Sequence, residues 1–238
     1  MTDHTVKAFD AELKKLARAI VEMGGLVEQQ IADAIDALLK HDMALAQQVI
    51  AVDPQIDALQ REIEEQAVLI IARRQPMAGD LRQTIAALRI ANGLERMGDY
   101  AKNIAKRVLA SSGDIQPLPV VRGLKHMSDL VLSALKRVLD AYVERDVEKA
   151  LSVWRGDEEI DAVNNSLFRE LLTYMMEDPR NITFCTHLLF CAKNIERIGD
   201  HATNIAEIVY YIVQGAPLLG DRPKGVTSFT APAAPSSY

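Results

Sequence analysis

The sequence predicts an all-α protein made of two tandem three-helix bundles. Three observations carry that expectation. Of 238 residues, 49% are hydrophobic but only 5% aromatic, and Gly and Pro gather in a few clusters, a composition that favours helix. Apolar residues recur at a period near 3.6 over long stretches. One stretch is also written twice: Glu95-Arg96-Met97-Gly98-Asp99-Tyr100-Ala101-Lys102-Asn103-Ile104-Ala105 returns as Glu196-Arg197-Ile198-Gly199-Asp200-His201-Ala202-Thr203-Asn204-Ile205-Ala206.

In chain order, Leu13, Leu16, Ile20, Leu26, Ile31, Ile35 and Leu38 keep helical spacing from Lys7 to Lys40. They predict a helix of roughly 30 residues, about 45 Å long, with Gly24-Gly25 as a bend. Asp42 is the expected N-cap of a short second helix. That helix should end at Asp53-Pro54, which reads as N-cap and N1 proline of the next one. Ile56, Leu59, Ile63, Val68, Ile70 and Ile71 carry this third helix to Arg74, where Pro76 stops it. Gly79-Asp80 opens the helix that holds residues 95–105. Ser111, Ser112, Gly113 and Asp114, with Pro117 and Pro119, then mark a connection.

After this connection the pattern restarts. Residues 39–44 align with 143–148, and residues 53–58 with 157–162, both at an offset of 104. The repeated stretch follows at an offset of 101, and nine of the sixteen positions from 91 to 106 are identical in the second copy. Shared polarity alone does not give that many identities in one register, so the chain is internally duplicated. Short loops make consecutive helices antiparallel neighbours. The expected bundles span residues 5–113 and 117–214. Residues 215–238, rich in Pro, Ser and Ala, are expected to be a disordered tail.

Several function classes are excluded. A net charge of −6 with no Lys/Arg block argues against nucleic acid as a partner. No apolar run approaches the ~20 residues needed to span a bilayer, and Met1-Thr2-Asp3-His4 lacks the start of a signal peptide. A cytoplasmic chain without direct membrane insertion is therefore expected. Cys185 and Cys191 fit neither a disulfide framework nor a zinc knuckle and read as buried thiols. No nucleophile elbow, phosphate loop or dinucleotide fingerprint is present, so no catalysis is expected.

What remains is acidic. Each half carries two i,i+4 pairs, Asp53/Asp57 with Glu95/Asp99 and Asp157/Asp161 with Glu196/Asp200. Stacking like charges four apart costs a helix a few tenths of a kcal/mol, so a cation is expected on them. At 100° per residue, Glu95 and Asp99 lie opposite the apolar stripe of their own helix, which predicts that they face outward. Antiparallel packing brings two such stripes together along a seam. Clustered carboxylates with an amide nearby are hard ligands for magnesium, manganese or iron, and Asn103 and Asn204 read equally as such an amide or as interhelical hydrogen-bonding groups; zinc usually takes His or Cys as well. Asp53 and Asp157 have capping as their plain role, and Asp57 and Asp161 the helix dipole. Gly98 and Gly199 are expected to admit a close neighbouring helix. His201, with Tyr100 at the equivalent place, is expected at the surface. A dimetal carboxylate oxidoreductase of ferritin-like type is the competing reading. It needs Glu-x-x-His on core-facing helices, and neither repeated stretch has a His three residues after its Glu.

The tandem acidic pairs, the doubled Glu-Arg-[Met/Ile]-Gly-Asp-x-Ala-x-Asn-Ile-Ala stretch, Ala72-Arg73-Arg74-Gln75-Pro76 with Asp80-Leu81-Arg82, and Tyr174-Met175-Met176-Glu177-Asp178-Pro179-Arg180 together resemble the PhoU family over residues 5–214. The resemblance implies a cytoplasmic, pseudo-twofold, often dimeric protein that negatively regulates the phosphate-starvation response. As partners it implies the phosphate ABC transporter ATPase and a sensor histidine kinase. It further implies multinuclear metal sites, of iron, zinc, manganese or magnesium, on Asp53, Asp57, Glu95, Asp99, Asp157, Asp161, Glu196 and Asp200. Asp80 falls opposite Asn181, a departure from strict equivalence of the halves.

Overall fold

The computed structural model describes residues 2–111 and 120–220. These form six α-helices and one 3-10 turn, with no strand among them. They are α1 (Thr2–Lys40), α2 (Met43–Arg74), α3 (Ala78–Ala110), α4 (Val120–Glu144), α5 (Val147–Glu177), the turn at Pro179–Asn181, and α6 (Ile182–Gln214). Helices α1 to α3 pack on one another as one bundle and α4 to α6 as a second. The halves join where α3 meets α6 and α1 meets α4. Most of the expected connection (residues 112–119) and residues 221–238 of the expected tail lie outside the described residues. Residues 215–220 carry no helix.

Two-residue turns fold each bundle. His41 and Arg145 adopt left-handed φ values of 52° and 60°. The Asp42 N–H then reaches back to the Ala37 carbonyl (2.9 Å), and the Asp146 N–H to that of Ala141 (3.1 Å), which satisfies an orphan carbonyl at each helix end. The same aspartates cap the following helix. Asp42 accepts from the Leu45 N–H at 2.9 Å and Asp146 from the Lys149 N–H at 3.0 Å. Asp42 is the cap that its sequence position predicts.

The break expected at Asp53-Pro54 does not occur. α2 runs unbroken from Met43 to Arg74 with Pro54 inside it, so each half has three long helices and no short one. An interior proline costs roughly 3 kcal/mol. Val49 on one side of it and Ile56, Ile63 and Ile70 on the other are all buried on the same face. Each contributes about 1.5–3 kcal/mol, so packing outweighs the local penalty. Asp53 and Asp157 are consequently not N-caps, and Asp57 and Asp161 lie beyond the first turn where a helix dipole acts.

α1 runs through Gly24 as one unbroken helix. A Cβ at Gly24 would stand 2.7 Å from Leu139 Cδ1, so the glycine lets α4 approach α1. Cys185 and Cys191 are buried free thiols as expected, and burial pushes the Cys191 thiol up to about 12. No helix among the described residues is long and apolar enough to cross a membrane.

Candidate functional site

Buried side chains on α2 recur at alternating spacings of four and three: Ala46, Val49, Asp53, Ile56, then Ile63, Ala67 and Ile70. α5 repeats the pattern with Val153, Asp157, Ile160, Leu167 and Leu171. Asp53 and Asp157 thus hold core positions in an apolar stripe, only 8% and 3% exposed. A buried carboxylate must be paired or hydrogen-bonded to persist as an anion. On α3, burial of Leu94, Met97, Gly98 and Ala101 leaves Glu95, Asp99 and Lys102 half-buried on the flank. α6 places Glu196 and Asp200 likewise. The acids therefore do not face outward as expected but line a half-covered seam between two helices in each bundle.

The two halves answer their buried aspartate differently. In the first, Lys102 Nζ donates to Asp53 Oδ2 at 2.6 Å and to Asp99 Oδ1 at 2.5 Å. Burial works against the Lys102 charge, but the two hydrogen-bonded carboxylates outweigh it and hold its pKa well above the usual lysine value. In the second half Thr203 occupies the equivalent position. Its hydroxyl donates to Asp157 Oδ1 at 3.1 Å, with the Gly199 carbonyl at 3.2 Å as a further acceptor.

The remaining acids gather around a glutamate in each seam. Burial raises the Glu95 pKa, and the carboxylates of Asp99 and Asp57 add to it against the opposing charge of Arg96. Burial also raises Glu196; Lys193 opposes the rise, and Asp200 and Asp161 reinforce it. Like charges at short range disfavour ionisation, so Asp57, Glu95 and Asp99 share one field and Asp161, Glu196 and Asp200 another. The eight predicted carboxylates fall into two corresponding seams, four in each half. Asn103 and Asn204 are exposed, and Asn204 lines an open groove of about 560 Å³ between the halves, with Glu64, Arg89 and His201.

Gly98 and Gly199 serve the close approach expected of them. A Cβ on Gly98 would meet Gln30 Oε1 at 2.9 Å and Ile56 Cδ1 at 3.3 Å, and one on Gly199 would meet Ile160 Cδ1 at 3.1 Å. These glycines set the α2–α3 and α5–α6 separation and with it the width of each seam. His201 is not a free surface residue: it is half-buried, and its ring lies 5.7 Å from that of Tyr100.

Lys102, Thr203 and Lys193 are the site residues that the sequence reading missed. Lys102 was findable, since Asp99 and Lys102 stand three apart on one helix face. The Lys102/Thr203 difference is visible in the aligned copies.

Among the described residues, no group of three or more His, Cys, Asp or Glu side chains is gathered tightly enough to hold a metal ion as it stands. The donors are right in kind, being hard oxygens. Ligation requires the carboxylates to turn toward one another, with the lysine in each seam giving way.

Comparison with known proteins agrees with this duplicated architecture. The PhoU domain model matches twice, over residues 20–108 and 124–209, one match per bundle. The chain is 60% identical over 221 residues to the phosphate-specific transport system accessory protein PhoU homolog of Rhizobium meliloti (strain 1021), covering 93% of each chain. It is 53% identical to the protein of the same description from Caulobacter vibrioides (strain NA1000 / CB15N), covering 94% of this chain and 97% of that one. The crystal structure of PhoU from Pseudomonas aeruginosa superposes with a TM-score of 0.84 at 41% identity, covering 87% of this chain and all 100% of that one. The phosphate transport system regulatory protein PhoU from Streptococcus pneumoniae superposes at 0.82 with 32% identity, covering 88% of this chain and 99% of that one. With both bundles matched, this chain belongs to the PhoU family.

Proposed function

We propose that this chain is an accessory regulator of phosphate transport, a cytoplasmic helical adaptor that represses the phosphate-starvation response. Family membership across both bundles carries the reading. The relatives are named for accessory and regulatory roles in phosphate transport rather than for catalysis, and the chain is not an enzyme. The adaptor's partners are the ATPase of the phosphate ABC transporter and the associated sensor histidine kinase, and the adaptor works as a homodimer. Two related bundles present two related outer faces, which suits contact with two partners.

The acid seams are the second part of the reading. Each is proposed to take hard divalent cations on Asp53, Asp57, Glu95 and Asp99 or on Asp157, Asp161, Glu196 and Asp200, with manganese, magnesium, iron or zinc as candidates. A bound cation would neutralise the mutual repulsion of the carboxylates. The chain's own contribution is to hold them together: Gly98 and Gly199 set the separation, and the α2 and α5 core stripes fix the aspartates. The Glu-x-x-His pairs that a ferritin-like dimetal oxidoreductase requires occur nowhere in the sequence.

The test is complementation. Deletion of the gene is expected to leave phosphate-responsive genes expressed in phosphate-rich medium, and the intact chain should silence them. A deletion strain that still silences these genes would remove the regulatory role.

A further inference from the structure

We infer that the groove between the halves is a binding site for a free α-amino acid with a polar side-chain end, its carboxylate paired with Arg89 and its ammonium with Glu207. The site is separate from the acid seams and goes beyond the regulatory reading above.

The groove, of about 560 Å³, is walled by α2, α3 and α6 and falls within the size range of small-molecule sites. α3 and α6 run antiparallel beside it, since Arg107 meets Phe190 at one end and Arg82 meets Gly215 at the other. That register sets Arg89 level with Glu207, and Asn92 level with Asn204 one turn, about 5.4 Å, further along. Glu207 is anchored from α5: the Trp154 indole N–H donates to its Oε1 at 3.1 Å, and Oε2 stays open as an acceptor. Arg89 is exposed and, among the described residues, enters no ion pair. A carboxylate and a guanidinium at one level suit the ammonium and carboxylate that share an α-carbon. Leu88, Ile205 and Ile208 offer apolar contact to the methylenes of a side chain. The amides of Asn92 and Asn204 offer hydrogen bonds to its polar end.

Gly93 supplies an independent sign. A glycine in mid-helix is less stable than alanine, and Gly24, Gly98 and Gly199 each have a close neighbour that explains them. Gly93 does not. A Cβ there would stand 3.7 Å from Ile205 Cγ1 and 3.8 Å from His201 Nδ1, both ordinary contact. No neighbour requires the glycine, and what a side chain at 93 would take up is the groove itself, where a ligand needs close approach to the backbone. The duplication adds an internal comparison. At the offset of 101, Arg89 and Ile208 correspond to Phe190 and Arg107, and these two stack, the guanidinium 4.3 Å from the ring centre. Gly93 and Glu207 correspond to Asn194 and Lys106. The polar set is therefore present on one side of the pseudo-twofold only, and one ligand per chain is expected.

The experiment presents the full-length protein with each of the common L-amino acids at millimolar concentration, with binding read by ligand-observed NMR and stoichiometry by native mass spectrometry. Binders are then compared with their N-acetyl and carboxamide derivatives. The expected result is that at least one amino acid with a polar side-chain end binds once per chain, more tightly than L-norleucine, and that blocking either its ammonium or its carboxylate abolishes binding. Arg89→Gln and Glu207→Gln should each weaken it by roughly tenfold or more, and Gly93→Leu should remove it. Arg89 is exposed, so Arg89→Gln keeps the test valid if Gly93→Leu fails to fold. If no amino acid binds at millimolar concentration, the inference fails. It fails equally if binding survives both Arg89→Gln and Gly93→Leu, which would put the ligand elsewhere, or if the blocked derivatives bind as well as the free amino acid.

Discussion

Tyr100 and His201 occupy equivalent positions in the two halves, and their rings touch, with centroids 5.7 Å apart and planes tilted by 38°. A residue meets its own counterpart only beside the axis that relates the halves, so this contact marks the pseudo-twofold at the α3–α6 junction. Arg197 adds to it, its guanidinium 5.7 Å from the Tyr100 ring centre. An aromatic contact contributes about 0.5–1.5 kcal/mol and a cation over a ring roughly as much again. Tyr100→Ala is therefore expected to lower stability by about 1–2 kcal/mol, read as a fall in melting temperature with helicity retained. An unchanged melting temperature would show that the halves are joined elsewhere.

Two glycines on or against α5 should respond to alanine with opposite signs. Gly156 has nothing within 4 Å of where a Cβ would stand, so Gly156→Ala should stabilise by about 1 kcal/mol through helix propensity. At Gly199 the new methyl would lie 3.1 Å from Ile160 Cδ1 and 3.4 Å from its Cγ2. Overpacking of this sort costs about 1–3 kcal/mol and should cancel or exceed the propensity gain. Denaturant melts of both variants decide it. Equal shifts would mean that Gly199 does not set the α5–α6 separation.

Glu95 and Glu196 should weigh against the fold at neutral pH when no metal is bound. Burial raises both pKa values above the ordinary 4.5, so the folded protein holds these protons more tightly than the unfolded chain. Their contribution is fully present below pH about 4.5 and is lost as pH rises through the folded values. Glu95→Gln/Glu196→Gln in chelator should accordingly melt higher than wild type at pH 7, with the gap closing toward pH 4.5. A lower melting temperature at pH 7 would contradict the proposed repulsion.

Glu12 should show the opposite dependence. Arg74 donates to it twice, Nε to Oε2 at 2.9 Å and Nη2 to Oε1 at 2.7 Å, tying α2 to α1. The bond to Arg74 lowers the Glu12 pKa below its ordinary 4.5 despite partial burial. The stabilisation is therefore present above pH about 4.5 and is lost as pH falls through the depressed value. Glu12→Gln should be less stable than wild type at pH 7 and match it in strong acid, as measured by urea unfolding across pH.

Much of the fold was legible because its signals are local. The Asp42 cap is read from a few neighbouring residues, and the offset of 101 between the repeats exposes the duplication without any structure. Pro54 misled because proline is a breaker in isolation, whereas here a buried stripe on both sides holds the helix together. The burial of Asp53 and Asp157 was hidden for a related reason. Each stands in register with Val49 and Ile56, or with Val153 and Ile160, but its polarity disguises it as surface until packing shows the four–three stripe. How α2 is rolled against α3 decides that Glu95 and Asp99 are half-covered, and that roll depends on both helices at once. The lysine between Asp53 and Asp99 follows from the same roll.

The adaptor reading is tested most directly by binding of the purified full-length chain to the transporter ATPase and to the cytoplasmic region of the sensor kinase, with Mn²⁺ and with chelator. Both partners are expected to bind, and Asp157→Asn/Asp161→Asn is expected to weaken at least one of them while leaving the melting transition cooperative. Failure to bind either partner, with or without Mn²⁺, would contradict it.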